Sequence, residues 1–195
     1  SAMKKFIISL LIVAAFVAIP VSVFAQGEVE GTTLSTVAKA NVVNALTLAT
    51  NTAGGEFGGA SLNFGSITPG NTGGSVTMAP TSGTDVGTRT ADGTVDLIGD
   101  DASCALYTVT GTAGSAYTVT LPSSDVTLTG PTGGTGTSTM TLNTFSINVD
   151  GTDAATTGTL TGGSSNFAVG GKLTVASDQI AGAYAGTFNV TVAYN

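Results

Sequence analysis

Period-two alternation of apolar and polar residues recurs along the chain after residue 25, in short runs between Gly-, Pro-, Asn- and Asp-bearing turns. No stretch there has a helical period. The pattern predicts an all-β domain with strands over residues 34–50, 60–67, 74–79, 93–98, 104–110, 116–121, 125–129, 139–149, 166–169, 171–176 and 184–194. Thr fills many outward positions, as a β-branched residue able to face water does. In the last run Tyr184, Gly186, Phe188, Val190, Val192 and Tyr194 share one face, while Ala185, Thr187, Asn189, Thr191 and Ala193 share the other. Residues 139–149 alternate through Met140 and Leu142, then change parity so that Phe145, Ile147 and Val149 continue the apolar face. One extra residue near Asn143 or Thr144 restores the facing, which predicts a β-bulge. Residues 130–137 and 150–165 are rich in Gly, Thr and Ser with few large apolar groups, so they are expected as loops. Strand number and spacing fit a β-sandwich ahead of a jelly roll or a barrel.

The start of the chain breaks this pattern. Lys4 and Lys5 precede an apolar run over residues 6–23, interrupted only by Ser9, Pro20 and Ser22, and Val23 and Ala25 stand at −3 and −1 of a cleavage site before Gln26. This is the pattern of a cleavable secretory leader. A retained membrane anchor is the competing reading, because the run approaches the ~20 residues of a spanning helix. Pro20 and the small residue at the cut favour removal. The expected plan is a signal peptide over 1–25, an N-terminal extension over 26–40 and one β-sandwich domain over 41–195. The mature chain is expected in the periplasm in transit and at the cell surface or outside the cell thereafter.

Composition narrows the chemistry. The net charge of −7 becomes −9 once Lys4 and Lys5 are removed, leaving Lys39, Arg89 and Lys172 as the mature chain's basic residues. That sign disfavours nucleic acid and anionic lipid as partners. Only 9% of residues are charged, against roughly 25% in an average domain, so Thr, Ser, Asn and Gly are expected to supply the wet surface. The chain has no His, which removes Ser-His-Asp and Cys-His activation, histidine zinc sites and the usual general base near neutral pH. No enzyme activity and no cofactor are expected. Asp96, Asp100 and Asp101, or Asp150 with Asp153, are read as solvated turns ahead of a carboxylate pair or a calcium loop. The Gly-rich stretches lack the Lys of a phosphate loop and precede no helix. Cys104 is the single cysteine, so no internal disulfide forms, and it is expected as a small buried hydrophobe.

The first mature segment is the most informative. One parity reads Leu34, Thr36, Ala38, Ala40, Val42, Asn44, Leu46, Leu48. Fully extended, this run spans about 50 Å at ~3.3 Å per residue, whereas typical strands reach ~17–20 Å. Two readings follow: a long first strand that bends between sheets of its own sandwich, or an arm over residues 26–40 that completes a sheet in a neighbouring molecule by strand addition. In the second, Leu34, Thr36, Ala38 and Ala40 are the candidate donor residues. Phe64, Phe188, Val190, Val192 and Tyr194 are the candidates for the accepting groove.

The run Leu62-Asn63-Phe64-Gly65-Ser66-Ile67-Thr68-Pro69-Gly70 resembles the domain of unknown function 4402 family of exported bacterial β-domains. Tyr107-Thr108-Val109-Thr110-Gly111, Tyr117-Thr118-Val119-Thr120-Leu121-Pro122, Phe167-Ala168-Val169-Gly170-Gly171-Lys172-Leu173 and the closing Gly-Ala-Tyr-Ala-Gly-Thr-Phe-Asn-Val-Thr-Val-Ala-Tyr of residues 182–194 agree with it. The resemblance covers about residues 41–195. The Leu-x-Phe-Gly opening and Gly-x-Tyr closing strand are also similar to spore coat protein U-like subunits of archaic chaperone-usher pili, although the paired cysteines frequent there are lacking. That second resemblance implies an incomplete immunoglobulin-like sandwich completed by a donor strand, self-association into a fibre, and a periplasmic chaperone and outer-membrane usher as partners. The leading expectation is therefore a pilin-like structural subunit of a cell-surface fibre. The alternative is a self-complete, monomeric adhesive or carbohydrate-binding module.

Overall fold

The computed structural model describes residues 39, 40, 42–51, 61–81 and 87–195. The chain divides into two units, Ser1–Asn41 and Val42–Asn195. Of the first, only Lys39 and Ala40 are described, and both are exposed. The leader, Leu34, Thr36 and Ala38 lie outside the described residues.

The second unit is all-β and sandwich-like; none of its described residues is helical. Its strands are β1 (Thr47–Thr50), β2 (Ser66–Thr68), β3 (Gly74–Pro80), β4 (Gly87–Gly93), β5 (Asp96–Ile98), β6 (Ala105–Thr110), β7 (Ala116–Thr120), β8 (Val126–Thr129), β9 (Thr139–Val149), β10 (Thr152–Asp153), β11 (Thr157–Thr159), β12 (Ser164–Val175) and β13 (Thr191–Tyr194). A large antiparallel sheet runs β1-β6-β12-β3-β4, with β9 on the other edge of β12 and β8 and β10 beyond β9. Two smaller sheets, β11-β7-β13 and β2-β5, complete the set.

The 12-residue β12 organises the large sheet. Along one edge it pairs with β9, and along the other it pairs first with β6, through Val169, and then with β3, from Gly171. The sheet splits into two wings at Gly170, where a Cβ would collide with the Met78 carbonyl and Pro80. Glycine there allows the close backbone approach that the divergence needs. The expected bulge lies opposite this point: Ser146 pairs with Gly170 and Asn143 with Lys172, so Thr144 and Phe145 face Gly171 alone. Thr144 takes φ = 47°. The extra residue lets Leu142 and Ile147 both point inward despite their opposite parity.

Each wing carries its own apolar core. Val76, Met78, Leu142, Leu173 and Val175 of one wing pack with Phe64 and with Ile67 and Leu97 from β2-β5. Val109, Ile147, Val149, Phe167 and Val169 of the other pack with Tyr117 and Val119 of β7 and with Val192 and Tyr194 of β13. Cys104 is fully buried. The two smaller sheets thus form a second layer made of two separate covers.

Several elements differ from the sequence reading. Within the expected strand 34–50, pairing is confined to Thr47–Thr50. The strand β4 is missing from the expectation because TRTADG offers no apolar alternation; it forms as an edge partner of β3. Residues 150–165, expected as a loop, contain β10, β11 and the start of β12, since Thr-rich backbone pairs without a large apolar face. The run 184–194 keeps its predicted two faces, with Tyr184, Phe188, Val190, Val192 and Tyr194 half-buried and their neighbours exposed, yet only Thr191–Tyr194 is paired as a strand.

Candidate functional site

A cleft of about 560 Å³ opens between the stretch that leads into β2 and the segment 182–184. Its first lip is the stretch from Leu62 to Ile67. Asn63 exchanges both main-chain hydrogen bonds with Ser103, at 2.8 and 2.9 Å. Alternation along an extended chain therefore turns the N–H groups of Leu62 and Phe64 the other way. Among the described residues those N–H groups have no partner.

The lip is bent and pinned by its own sequence. Gly65 sits at φ = 68°, and its N–H donates to Asn63 Oδ1 at 3.0 Å. Asn63 Nδ2 in turn donates to the Asp101 carbonyl at 2.9 Å. Arg89, reaching from β4, donates from Nη1 to the Phe64 carbonyl at 2.8 Å and lies 3.4 Å from that of Ser66. Its Nη2 donates to the Gly99 carbonyl, with Ile98 O at 3.5 Å. One guanidinium thus ties β2 and the end of β5 to the large sheet.

The floor comes from three adjacent strands: Leu128 on β8, Met140 on β9 and Leu173 on β12. The second lip is Gly182, Ala183 and Tyr184. The Tyr184 hydroxyl donates to the Ile180 carbonyl at 2.7 Å, and Ala185 exchanges two main-chain bonds with Thr129 at 2.8 and 3.0 Å. The chain then leaves the large sheet and joins β7 at Thr191. Between these anchors residues 187–190 alternate in burial, belong to no strand and form no main-chain hydrogen bond among the described residues.

The floor of the cleft is apolar and its rim is polar, with Asn63 and Ser66 on the first lip. Asp101 is the single charged residue lining the cleft. The cleft sets one edge with unmet main-chain N–H groups, at Leu62 and Phe64, beside an apolar floor, which suits an extended peptide with alternate apolar side chains.

Of the residues singled out from sequence, Phe64 lines this cleft. Phe188 packs against both core clusters and on Phe145, ring centroids 5.1 Å apart. Val190, Val192 and Tyr194 pack on the second core cluster, further along the same segment. Ala40 is exposed. The floor residues Leu128, Met140 and Leu173 were not singled out, although each stands on an apolar parity that the alternation marks.

Of the carboxylates considered from sequence, Asp150 and Asp153 are engaged in the fold. Asp150 accepts from Ser165 Oγ at 2.6 Å and from Asn166 N–H at 3.1 Å, and Asp153 accepts from Asn148 Nδ2 at 2.6 Å. Tyr117 is fully buried with its hydroxyl 2.5 Å from Ser165 Oγ. Burial pushes the Tyr117 phenol above its ordinary pKa of 10.0; the Ser165 hydrogen bond opposes that rise and the Asp150 charge adds to it. Among the described residues no three His, Cys, Asp or Glu side chains converge as metal ligands.

A family described as a domain of unknown function, DUF4402, matches the chain over residues 55–194. No curated protein and no solved structure matches it.

Proposed function

The chain belongs to the domain of unknown function 4402 family, and we propose that within it this protein is an exported structural subunit of a bacterial cell-surface fibre, joined to its neighbours by strand addition. The observation that carries the reading is the cleft beside the Leu62–Phe64 edge, whose outward N–H groups have no partner among the described residues, with Gly182–Tyr184 as its opposite lip. A strand laid there meets the outward main-chain N–H donors of the first lip and an apolar floor of Leu128, Met140 and Leu173. Backbone pairing supplies affinity in such a join, and alternate side chains supply register.

The donor is the arm over residues 26–40 of another copy, whose alternate positions Leu34, Thr36, Ala38 and Ala40 are small or apolar. The secretory pattern of residues 3–25 supports export. The likeness to spore coat protein U-like pilus subunits points the same way, with a periplasmic chaperone and an outer-membrane usher as partners. The role is structural, and no cofactor enters it.

The test is deletion of residues 26–39 from the mature protein. Wild type is expected to form heat- and detergent-resistant ladders on a denaturing gel, and the deletion variant to remain a folded monomer with an unchanged circular-dichroism spectrum. Mixing that variant with an excess of isolated arm peptide should give a one-to-one complex. Ladders that persist in the deletion variant, or a wild type that sediments as a stable monomer at all concentrations, remove the proposal; the monomer would leave the binding-module reading.

A further inference from the structure

Tyr194 closes β13 with its ring packed on the second core cluster, while its hydroxyl reaches outside the ladder. There Oη accepts from the Thr112 N–H at 2.8 Å and donates to the Asn44 carbonyl at 2.8 Å. The Asn44 N–H donates to Thr112 Oγ1 at 2.7 Å. Both main-chain polar groups of Asn44 are therefore held, by residues 68 and 150 positions away. Gly111 leaves the space: a Cβ there would collide with Tyr194 Oη.

Asn44 stands at a boundary in packing. Leu46 and Leu48, on its C-terminal side, are half-buried against the second core cluster. On its N-terminal side Val42 is 92% exposed and Val43 48%. We infer that Tyr194 is a positioning residue that fixes the point and the facing with which the N-terminal arm leaves the domain.

The consequence rests on the strand-addition reading. A slip of one residue at the root turns every side chain of an extended arm to its other face. A clasp on both the N–H and the C=O of Asn44 prevents that slip at the root itself. The clasp also sets the length of free chain between a domain and its neighbour's cleft, and hence the effective concentration of the arm. Root and cleft lie at different ends of the last segment. The cleft reaches Tyr184 and the root is held at Tyr194, about 33 Å apart along an extended chain at ~3.3 Å per residue.

The experiment compares Tyr194→Phe with Val192→Ala in the full mature chain. The first removes only the hydroxyl, and the second removes packing from the same strand and spares the clasp. Hydrogen exchange in the dissociated subunit is expected to quicken roughly tenfold at the Thr112 amide in Tyr194→Phe, because that N–H loses its acceptor. Trypsin cleavage after the exposed Lys39 is expected to quicken with it. Val192→Ala is expected to lower the melting temperature without either local change. Thr112→Val, which removes Oγ1 and keeps the N–H, should free the Asn44 amide alone. Unchanged exchange at Thr112 in Tyr194→Phe, or an equal rise in Val192→Ala, overturns the clasp. Ladders from Tyr194→Phe identical to wild type in yield and spacing overturn its role in positioning the arm. Wild type without ladders but with the exchange difference intact removes the fibre reading and leaves the clasp standing.

Discussion

Leu128 of β8 and Met140 of β9 are direct cross-strand partners, and together with Leu173 they floor the cleft. Neither is fully buried, so a larger side chain at either position grows into open space. Met140→Trp is expected to fill the cleft while costing at most about 1–3 kcal/mol from overpacking. Under the proposed strand addition, such a subunit is expected to donate its arm but accept none. Mixed with wild type, it should cap growing chains, and ladders should shorten as its fraction rises. Ladders independent of that fraction would place the join elsewhere.

Arg89 ties the first lip to the large sheet by donating to the carbonyls of Phe64 and Gly99. Hydrogen bonds from a charged donor contribute roughly 1.5–3 kcal/mol each when one partner is lost. Arg89→Met is therefore expected to lower the urea midpoint by the equivalent of about 2 kcal/mol with an unchanged m-value. Arg89→Lys should rescue little, since a point-charge ammonium cannot serve two carbonyls as a planar fork does. Full rescue by Lys would reduce Arg89 to a charge without geometry.

How much of this was legible in the sequence depends on what each segment buries. The alternation of residues 139–149 marked β9 and its bulge because Met140, Leu142, Phe145, Ile147 and Val149 all face a core, and the parity break has one structural remedy. The faces of residues 184–194 were legible for the same reason. The pairing was not: hydrogen bonds to Thr129 at one end and to β7 at the other depend on which strands the fold brings near. The strand β4 and the segments β10 and β11 carry Thr, Gly and Asp, so nothing in their hydropathy separates a paired edge from a loop. Phe64 was marked by its Leu-x-Phe-Gly setting. The Arg89 fork and the Tyr194 clasp join residues that only the folded topology makes neighbours.

Alkaline pH should destabilise the domain through Tyr117. Its phenol is fully buried, and its pKa is raised above 10.0 by burial and by the Asp150 charge, against the opposing Ser165 bond. A group whose folded pKa exceeds its unfolded value contributes stability that is complete below the unfolded pKa and lost as pH rises through the folded one. Stability by urea titration should therefore be level near pH 8 and fall above about pH 10. Tyr107, also raised by burial, contributes in the same direction. Tyr117→Phe should flatten part of that fall while leaving the Tyr107 share. An alkaline limb of unchanged slope in Tyr117→Phe would assign the loss to other groups.

The bulge that turns β9 leaves one conformational cost in place. Thr144 holds φ = 47°, a region where a side chain costs roughly 1–2 kcal/mol and where branching at Cβ makes the fit worse. Its side chain is exposed, and its Oγ1 donates only to Asn143 Oδ1 at 3.2 Å, so replacement forfeits little. Thr144→Asn keeps a polar surface residue and adopts the left-handed region readily. It is expected to stabilise the domain by about 1 kcal/mol, a rise of roughly 2–4 °C in Tm for a domain of this size. Thr144→Gly removes the same strain but adds freedom to the unfolded chain, worth about 0.5–1 kcal/mol in the other direction. The expected order of Tm is therefore Asn above Gly, with Gly close to wild type. If Asn melts at or below wild type, the Thr conformation is relaxed by its surroundings, and the extra residue opposite Gly171 turns the strand without strain.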